Sequence, residues 1–345
     1  MSKLKNEEKV HDVAQKEKKR EPLVEVKDMV VEFKTERSIV HALNGVNLTI
    51  YRGESLGLVG EAGAGKTTTA LGILNLMSEE SARIVQGDIT YDGKSVFKMS
   101  NHELLSMRGG KVSMIFQNPL TSLNPVFTVG EQIAMPLRKH MNMKRKEALK
   151  EASKLLEMVG IAGGRVTDYP HQFSGGMRQR VGIAAALACR PELLIADEPT
   201  TALDVTIQAQ ILELMKGLQE KYDTSLLMIT HNLGIISELC QRVAVMYAGK
   251  IIEEGAVDEV FSRPAHPYTV GLLNSLPKLT GPRERLVAIP GHVADPQNLP
   301  SGCSFHPRCA NCTERCKTET PDMLSITDHH SVACFNPMNQ EYNNG

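Results

Sequence analysis

The segment Gly60-Glu61-Ala62-Gly63-Ala64-Gly65-Lys66-Thr67 follows directly on the apolar run Ser55–Val59 and has the spacing of a phosphate-binding loop. Its glycines allow the backbone to curl so that N–H groups surround the β-phosphate of a nucleotide. Lys66 can neutralise charge near the γ-phosphate, and the Thr67 hydroxyl can ligate Mg²⁺. The segment, together with Thr68 after it, therefore predicts a site for a nucleoside triphosphate and Mg²⁺.

The composition argues against several classes of protein. The 345 residues carry 39 lysines and arginines against 40 aspartates and glutamates, so no basic field points to nucleic acid as a partner. No apolar stretch approaches the ~18–20 residues that span a bilayer, and residues 1–21 lack the apolar core of a signal peptide. We therefore expect a cytosolic protein, in which the seven cysteines are more often thiols or metal ligands than disulfides.

Apolar patterns divide the chain into three parts. Residues 1–22 mix lysine and glutamate with few apolar positions, which predicts a flexible charged tail. Residues 23–262 alternate short apolar runs with stretches of helical spacing, which predicts an α/β nucleotide-binding core with a helical insertion at about 118–179. Prolines become frequent after residue 263 and periodicity fades, so residues 263–345 are predicted to form a separate, irregular domain. The predicted buried strands are residues 112–116, 192–197, 225–230 and 243–246, and the helix after the phosphate loop is residues 68–77.

Two carboxylates end one of these strands, and each suits one task in phosphate chemistry. Asp197 can hold Mg²⁺ through its water shell, and Glu198 is placed to polarise the water that attacks the γ-phosphate. Taken alone, the two acids would equally fit the N-terminus of a helix before Pro199. His231 follows the strand at 225–230, where its imidazole can hydrogen-bond the γ-phosphate, although a single histidine after a strand is more often a capping or surface residue.

Ser174-Gly175-Gly176 opens a predicted helix, so its N–H groups and hydroxyl form a second anion site in the same chain. In order with the phosphate loop and the two carboxylates, this segment makes the chain resemble the ATP-binding cassette (ABC) family over about residues 23–335. The resemblance implies a P-loop ABC nucleotide-binding domain, with a RecA-like core, an antiparallel β subdomain and a helical subdomain. It also implies that Ser174, Gly175 and Gly176 act in trans, on ATP held by the phosphate loop of a second ABC ATPase subunit.

The same resemblance assigns further positions. Gln117 resembles the Q-loop glutamine that contacts Mg²⁺ and water, and Asp204, which ends Thr201-Ala202-Leu203-Asp204, resembles the D-loop aspartate at the dimer seam. Phe33 stands where the family's aromatic residue stacks on adenine, although a phenylalanine in a β-like run is often a core residue. Met177 departs from the usual glutamine of the signature. Because the backbone and Ser174 hold the phosphate, we expect activity to survive this change.

The C-terminal segment narrows the resemblance. His266-Pro267-Tyr268-Thr269, Ile289-Pro290-Gly291 and Cys303-Ser304-Phe305-His306-Pro307-Arg308-Cys309 are similar to the ATPase subunits of bacterial oligopeptide and dipeptide importers. This implies a peripheral ATPase on the cytoplasmic face of the cell membrane. The implied partners are a second, related ATPase subunit, two membrane-spanning permease subunits and an extracytoplasmic peptide-binding protein.

Two other functions remain open. Similar importers carry nickel, glutathione or other small cargo. A soluble ABC ATPase that acts on nucleic acid or ribosomes belongs to a different class, but such proteins usually carry two cassettes or a long coiled coil. This sequence has one cassette and no sustained heptads.

Five cysteines lie between residues 303 and 334. In part of the subfamily that the chain resembles, cysteines of this segment hold an iron–sulfur cluster, and Cys303, Cys309, Cys316 and Cys334 match that pattern. The resemblance thus implies a [4Fe-4S] cluster. Cys312 forms a C-x-x-C pair with Cys309, a spacing also common in zinc sites. Soft thiolates suit iron–sulfur and zinc equally, so zinc and free thiols remain alternatives.

Overall fold

The computed structural model describes residues 21–36, 38–78, 80–117, 123–200, 205–275 and 288–338, so most of the predicted tail lies outside it. The strands are β1 (Pro22–Lys34), β2 (Ile39–Tyr51), β3 (Ser55–Val59), β4 (Ala82–Tyr91), β5 (Lys94–Ser95), β6 (Val112–Ile115), β7 (Leu193–Asp197), β8 (Ser225–Ile229), β9 (Arg242–Tyr247), β10 (Lys250–Ala256), β11 (Leu324–Thr327) and β12 (His330–Val332). The α-helices are α1 (Lys66–Ile73), α2 (Asn101–Met107), α3 (Val129–His140), α4 (Arg145–Met158), α5 (Gly175–Leu187), α6 (Val205–Tyr222), α7 (Leu233–Leu239), α8 (Val257–Ser262), α9 (Pro267–Asn274) and α10 (Glu314–Thr318). None of these described helices is long and apolar enough to cross a membrane.

The strands form two sheets. A four-stranded antiparallel sheet has the order β2-β1-β4-β5, and an eight-stranded mixed sheet has the order β11-β12-β10-β9-β3-β8-β7-β6. In the larger sheet, β9, β3, β8, β7 and β6 run parallel, and β3, β7 and β8 are buried at every position. Strands covered on both faces are the reason for the uninterrupted apolar runs in the sequence. The four predicted buried strands and the α/β class are confirmed.

Two apolar cores lie on opposite faces of the larger sheet. Leu56 and Ile195 belong to the core that packs against the antiparallel sheet, whereas Leu194 and Met228 belong to the core that packs against the helices. Neighbouring residues of one strand alternate between these cores because successive side chains point to opposite faces. Along the chain, the helices α3, α4 and α5 come after β6 and before β7. A helical segment is therefore found where the sequence predicted the insertion.

Helix α1 differs from its predicted limits at both ends. It begins at Lys66 rather than at residue 68 and ends at Ile73 rather than at residue 77. Gly65 precedes the helix with a φ of 104°, and a Cβ there would lie 2.7 Å from the Ala42 carbonyl oxygen. Glycine tolerates this conformation and this close approach, so the helix starts one residue after it. Asn75 has a φ of 49°, which ends the helical path early.

The C-terminal residues extend the larger sheet. Strand β12 pairs antiparallel with β10, and β11 pairs with β12. In β10 the fully buried Glu253 carboxylate accepts hydrogen bonds from the backbone N–H groups of Ala265 (2.6 Å) and His266 (2.9 Å), and it lies 2.8 Å from His330 Nε2 in β12. One carboxylate therefore joins β10, the start of the C-terminal segment and β12. The domain boundary at about residue 263 remains a prediction.

We expect Glu253→Ala to lower the free energy of unfolding by about 3 kcal/mol, because it leaves buried N–H donors without an acceptor. Urea unfolding of the full-length protein, followed by circular dichroism, measures this change. The control is Glu314→Ala, which removes a surface carboxylate paired with Lys317 and is expected to leave stability unchanged within error. Equal losses in the two variants would contradict a structural role for the buried carboxylate.

Candidate nucleotide site

Residues 60–67 connect the carboxyl end of β3 to the first turn of α1. Gly60 has a φ of 153°, and a Cβ there would lie only 2.1 Å from the Met246 carbonyl oxygen. Gly63 and Gly65 also have positive φ, at 80° and 104°. These conformations let the loop curl in front of α1, whose first N–H groups have no acceptor within the helix. The loop has the form that an anion site requires.

Lys66 lies inside this loop and is almost fully buried. Its ammonium donates hydrogen bonds to the carbonyl oxygens of Gly60 (2.7 Å) and Glu61 (2.9 Å). Burial lowers the pKa of Lys66, and the nearby carboxylates of Glu198 and Asp197 act in the opposite direction. A phosphate group bound in the loop would add negative charge beside the buried ammonium and so stabilise its charged form.

Two of the three side chains predicted to bind Mg²⁺, those of Thr67 and Asp197, contact each other. The Thr67 hydroxyl donates a hydrogen bond of 2.8 Å to Asp197 Oδ2, although β3 and β7 are separated by β8 in the sheet. Asp197 is 2% exposed, and burial raises the pKa of its carboxyl, against the effect of the Thr67 hydrogen bond. A hydroxyl and a buried carboxylate at this distance fit the hard oxygen ligands that Mg²⁺ prefers.

The three residues predicted to act in catalysis meet after the ends of β6, β7 and β8. Glu198 has a φ of 47°, and its N–H donates to the Ile229 carbonyl oxygen (2.8 Å), which fixes the residue beyond the end of β7. Gln117 Nε2 donates to Glu198 Oε2 (3.3 Å), and His231 Nδ1 lies 3.1 Å from Glu198 Oε1. The structure therefore brings the predicted base and its two predicted neighbours together. Their roles in hydrolysis remain predictions.

The signature segment forms the N-terminus of α5. Ser174 is the N-cap, and its hydroxyl accepts a hydrogen bond from the Met177 N–H (3.4 Å). Ser174 and Gly175 are exposed, so the first N–H groups of α5 are accessible to an anion from outside the chain. Further along α5, the buried Gln179 donates to the Pro199 carbonyl oxygen and so ties this helix to the residue after Glu198. The sequence analysis gave Gln179 no role; a polar residue on the buried face of a helix was the available signal.

Phe33 and Asp204 are the remaining residues that the sequence assigned to the nucleotide site. Phe33 lies in β1, is half-buried, and packs against the core between the two sheets. This placement is compatible with both interpretations given to it, a core residue and an adenine-stacking residue. Asp204 and the rest of residues 201–204 lie outside the described residues.

Two residues that the sequence analysis did not assign to the site contact the phosphate loop. The Tyr268 hydroxyl in α9 accepts a hydrogen bond from the Glu61 N–H (2.8 Å). Arg308 donates to both carboxylate oxygens of Glu61, at 2.7 and 3.2 Å. These partners are 207 and 247 residues away in the chain, so no local pattern could have found them.

Four cysteines of the C-terminal segment line one small cavity: Cys303, Cys309, Cys316 and Cys334. Burial raises the pKa of three of these thiols, that of Cys334 to about 12. At Cys316 burial acts in the same direction, but hydrogen bonds from Thr313 outweigh it and lower the pKa. Within the described part of the chain, no group of three or more histidine, cysteine or acidic side chains is arranged to hold a metal ion.

The family profile described as ABC transporter matches residues 43–201, and the profile of the oligopeptide/dipeptide transporter C-terminal region matches residues 252–316. The chain is 49% identical over 315 residues to the oligopeptide transport ATP-binding protein AppD of Bacillus subtilis, which covers 91% of this chain and 96% of AppD. The chain belongs to the ABC transporter family. It is an ABC ATPase.

Further relatives agree with this assignment. The ABC ATPase is 50% identical to the oligopeptide transport ATP-binding protein OppD of Bacillus subtilis, over 90% of this chain and 87% of OppD. Among solved structures it resembles the ATP-binding cassette MJ0796, which was captured as a dimer in a post-hydrolysis state bound to ADP and Pi. The TM-score is 0.61 at 30% identity, and the match covers 68% of this chain and 98% of MJ0796.

We expect Glu198→Gln to lower the ATPase rate of this ABC ATPase by about 10²-fold or more, because the amide cannot accept a proton from the attacking water. ATP affinity should be retained, since Lys66 and the loop are unchanged. Steady-state ATPase assays and equilibrium binding measure the two quantities. Glu192→Gln is the matched control, because Glu192 precedes β7 at the opposite edge of the sheet and pairs with Arg52. Turnover at the parental rate in Glu198→Gln would exclude Glu198 as the base.

Proposed function

We propose that this ABC ATPase is the ATP-hydrolysing subunit of an importer that takes up oligopeptides or dipeptides. The C-terminal segment carries the proposal: residues 252–316 match the C-terminal region of oligopeptide/dipeptide transporters. AppD and OppD of Bacillus subtilis, each about half identical to this chain, are named for oligopeptide transport. The geometry at the ends of β3, β6, β7 and β8 supports the hydrolytic part of the proposal.

In the proposed reaction the residues of the site divide between binding the nucleotide and activating the attacking water, and Gln117 takes part in both. The Lys66 ammonium exchanges the Gly60 and Glu61 carbonyl oxygens for phosphate oxygens. Thr67, Asp197 and Gln117 would hold Mg²⁺, which would neutralise charge on the nucleotide phosphates. Glu198 accepts the proton of the attacking water, and His231 and Gln117 orient the Glu198 carboxylate through the contacts described above.

The site is completed by a second ATPase subunit. One chain contributes residues 60–67 and the carboxylates, and the other contributes the exposed N-terminus of its α5, from Ser174 to Gly176, together with Asp204. The exposure of Ser174 and Gly175 supports this arrangement, since their N–H groups are accessible to a phosphate held by another chain. The resemblance to MJ0796, whose structure is a dimer with ADP and Pi, also supports it.

The proposed assembly contains further subunits. We infer a peripheral location on the cytoplasmic face of the cell membrane, with two permease subunits, a related ATPase and an extracytoplasmic peptide-binding protein. The names of the relatives, which describe peptide import and oligopeptide transport, support this inference. The permeases would supply the membrane-spanning helices.

We further propose that Cys303, Cys309, Cys316 and Cys334 hold a [4Fe-4S] cluster, with zinc as the alternative, although the described side chains are not arranged as a ready metal site. The support is that these four thiols line one cavity, whose lining does not include the described Cys312. Soft sulfur donors fit iron–sulfur and zinc alike, and a bound cation would offset the burial that raises the pKa of Cys303, Cys309 and Cys334. When bound, the group would act as a structural cross-link between residues 303–316 and the residues after β12.

The cargo is tested on the assembled transporter. Purification of the full-length ATPase from its own membranes is expected to recover two hydrophobic subunits in a detergent-dependent manner. In proteoliposomes, peptide-loaded binding protein is expected to raise ATP hydrolysis severalfold, with Glu198→Gln as the inactive control. Stimulation of ATP hydrolysis by nickel or glutathione, but not by peptides, would show that the cargo is not a peptide. Nuclease-sensitive recovery of the ATPase with ribosomes or DNA would contradict the proposed function in an importer.

The metal is tested by composition. Anaerobically purified full-length protein is expected to contain iron and sulfide with the broad visible absorbance of a cluster, and Cys334→Ser is expected to lose all three. Cys312→Ser is the matched control and should retain them. A colourless protein with stoichiometric zinc would select the alternative, and equal loss from both variants would contradict the choice of four cysteines.

A further inference from the structure

Two contacts from the C-terminal segment meet at one residue of the phosphate loop. The Tyr268 hydroxyl holds the backbone N–H of Glu61, and the Arg308 guanidinium holds its carboxylate through two hydrogen bonds. A bidentate arginine–carboxylate pair fixes orientation as well as distance. Glu61 is therefore fixed both through its backbone and through its side chain.

Arg308 is itself held rigidly. Its side chain is 4% exposed, and it also donates to the carbonyl oxygens of Pro290 (3.0 Å) and Ile289 (3.4 Å). The guanidinium lies within 6 Å of the ring centroids of Tyr247 (5.9 Å) and Phe305 (5.8 Å). The Phe305 ring packs edge-on against the rings of Tyr247 and Tyr268, at centroid distances of 5.3 and 5.4 Å. The anchor is thus part of the packed interior rather than a mobile surface side chain.

Glu61 is also bonded within the loop, and its bond to Ala64 does not depend on the Lys66 ammonium that a phosphate would take. Its carbonyl oxygen accepts hydrogen bonds from the Lys66 ammonium (2.9 Å) and from the Ala64 N–H (3.2 Å). The same residue is thus bound to Lys66 and Ala64 within the loop and to Tyr268 and Arg308 beyond it. A loop that already has its binding conformation loses less conformational entropy when a nucleotide arrives.

We propose that Arg308 and Tyr268 are positioning residues of the nucleotide site, which hold the phosphate loop through Glu61 and thereby raise its affinity for the nucleotide phosphates. Neither side chain acts on the reacting atoms. The proposal concerns nucleotide binding by this chain alone and holds for any cargo.

A purely structural role would predict a different result, and the chain contains a pair that represents it. Arg242 donates to both carboxylate oxygens of Glu54, at 2.7 and 2.9 Å, and both side chains are largely buried. This pair lies at the amino ends of the parallel strands β9 and β3, whereas the phosphate loop follows the carboxyl end of β3. Arg242→Gln therefore breaks a similar ion pair without touching the site.

The test compares Arg308→Gln, Glu61→Gln, their double variant and Arg242→Gln in the full-length protein. We expect Arg308→Gln to raise the Kd for ADP and the KM for ATP about tenfold, or about 1.4 kcal/mol, with kcat within about twofold of the parent. Glu61→Gln should show the same separation of KM from kcat, and the double variant should lose no more than Arg308→Gln, because both changes break one interaction. Tyr268→Phe should raise KM by a smaller factor, and Arg308→Lys should restore part of the affinity.

Three results would overturn the proposal. An unchanged Kd in Glu61→Gln beside a raised Kd in Arg308→Gln would show that Arg308 does not act through Glu61. The same rise in Kd in Arg242→Gln would show a general effect of lost stability. Additive losses in the double variant would show two independent roles. Two measurements are made on every variant: thermal unfolding in the absence of nucleotide, and the content of bound metal. They separate a lower nucleotide affinity from a damaged fold or a damaged cysteine site.

Discussion

The parallel direction of β3, β6, β7 and β8 is the constraint on which the nucleotide site depends. Of these strands, β3, β7 and β8 are buried at every position, so charged side chains have no place along their length and occur where the strands end. Since parallel strands end at the same edge, the phosphate loop after β3, Asp197 and Glu198 at the end of β7 and His231 after β8 are brought to one place. Residues that are far apart in sequence become neighbours because they are in register across the sheet.

The site holds charges that the surrounding core does not favour. Burial lowers the pKa of Lys66 and raises that of Asp197, so both groups are less stable in their charged forms than they would be in water. In the structure, Lys66 donates to backbone carbonyl oxygens, and Asp197 accepts a hydrogen bond from the Thr67 hydroxyl. A triphosphate and Mg²⁺ would supply opposite charges beside both groups and so favour their charged forms.

The C-terminal segment is joined to the catalytic core in two ways. Through Glu253 and β12 it extends the large sheet, and through Tyr268 and Arg308 it reaches the phosphate loop. Arg308 lies next to Cys309, so the segment that carries the cysteines also carries the anchor of the loop. A feature that in the sequence only distinguishes a subfamily is, in the structure, in direct contact with the phosphate loop.

The sequence by itself determined the phosphate loop, the two carboxylates, the signature segment and the buried strands. Each of these is a local pattern of glycines, a lysine or apolar residues. Such a pattern can be recognised from neighbouring residues in the sequence, without knowledge of the tertiary structure. Only the tertiary structure decided the limits of α1, which depend on the left-handed conformations of Gly65 and Asn75 and on the close approach of Ala42. It alone decided the contacts of Gln179 with Pro199, of Glu253 with His330, and of Glu61 with Tyr268 and Arg308. Those pairs are separated by 20 to 247 residues, and their energies depend on burial and geometry that exist only after the chain has folded.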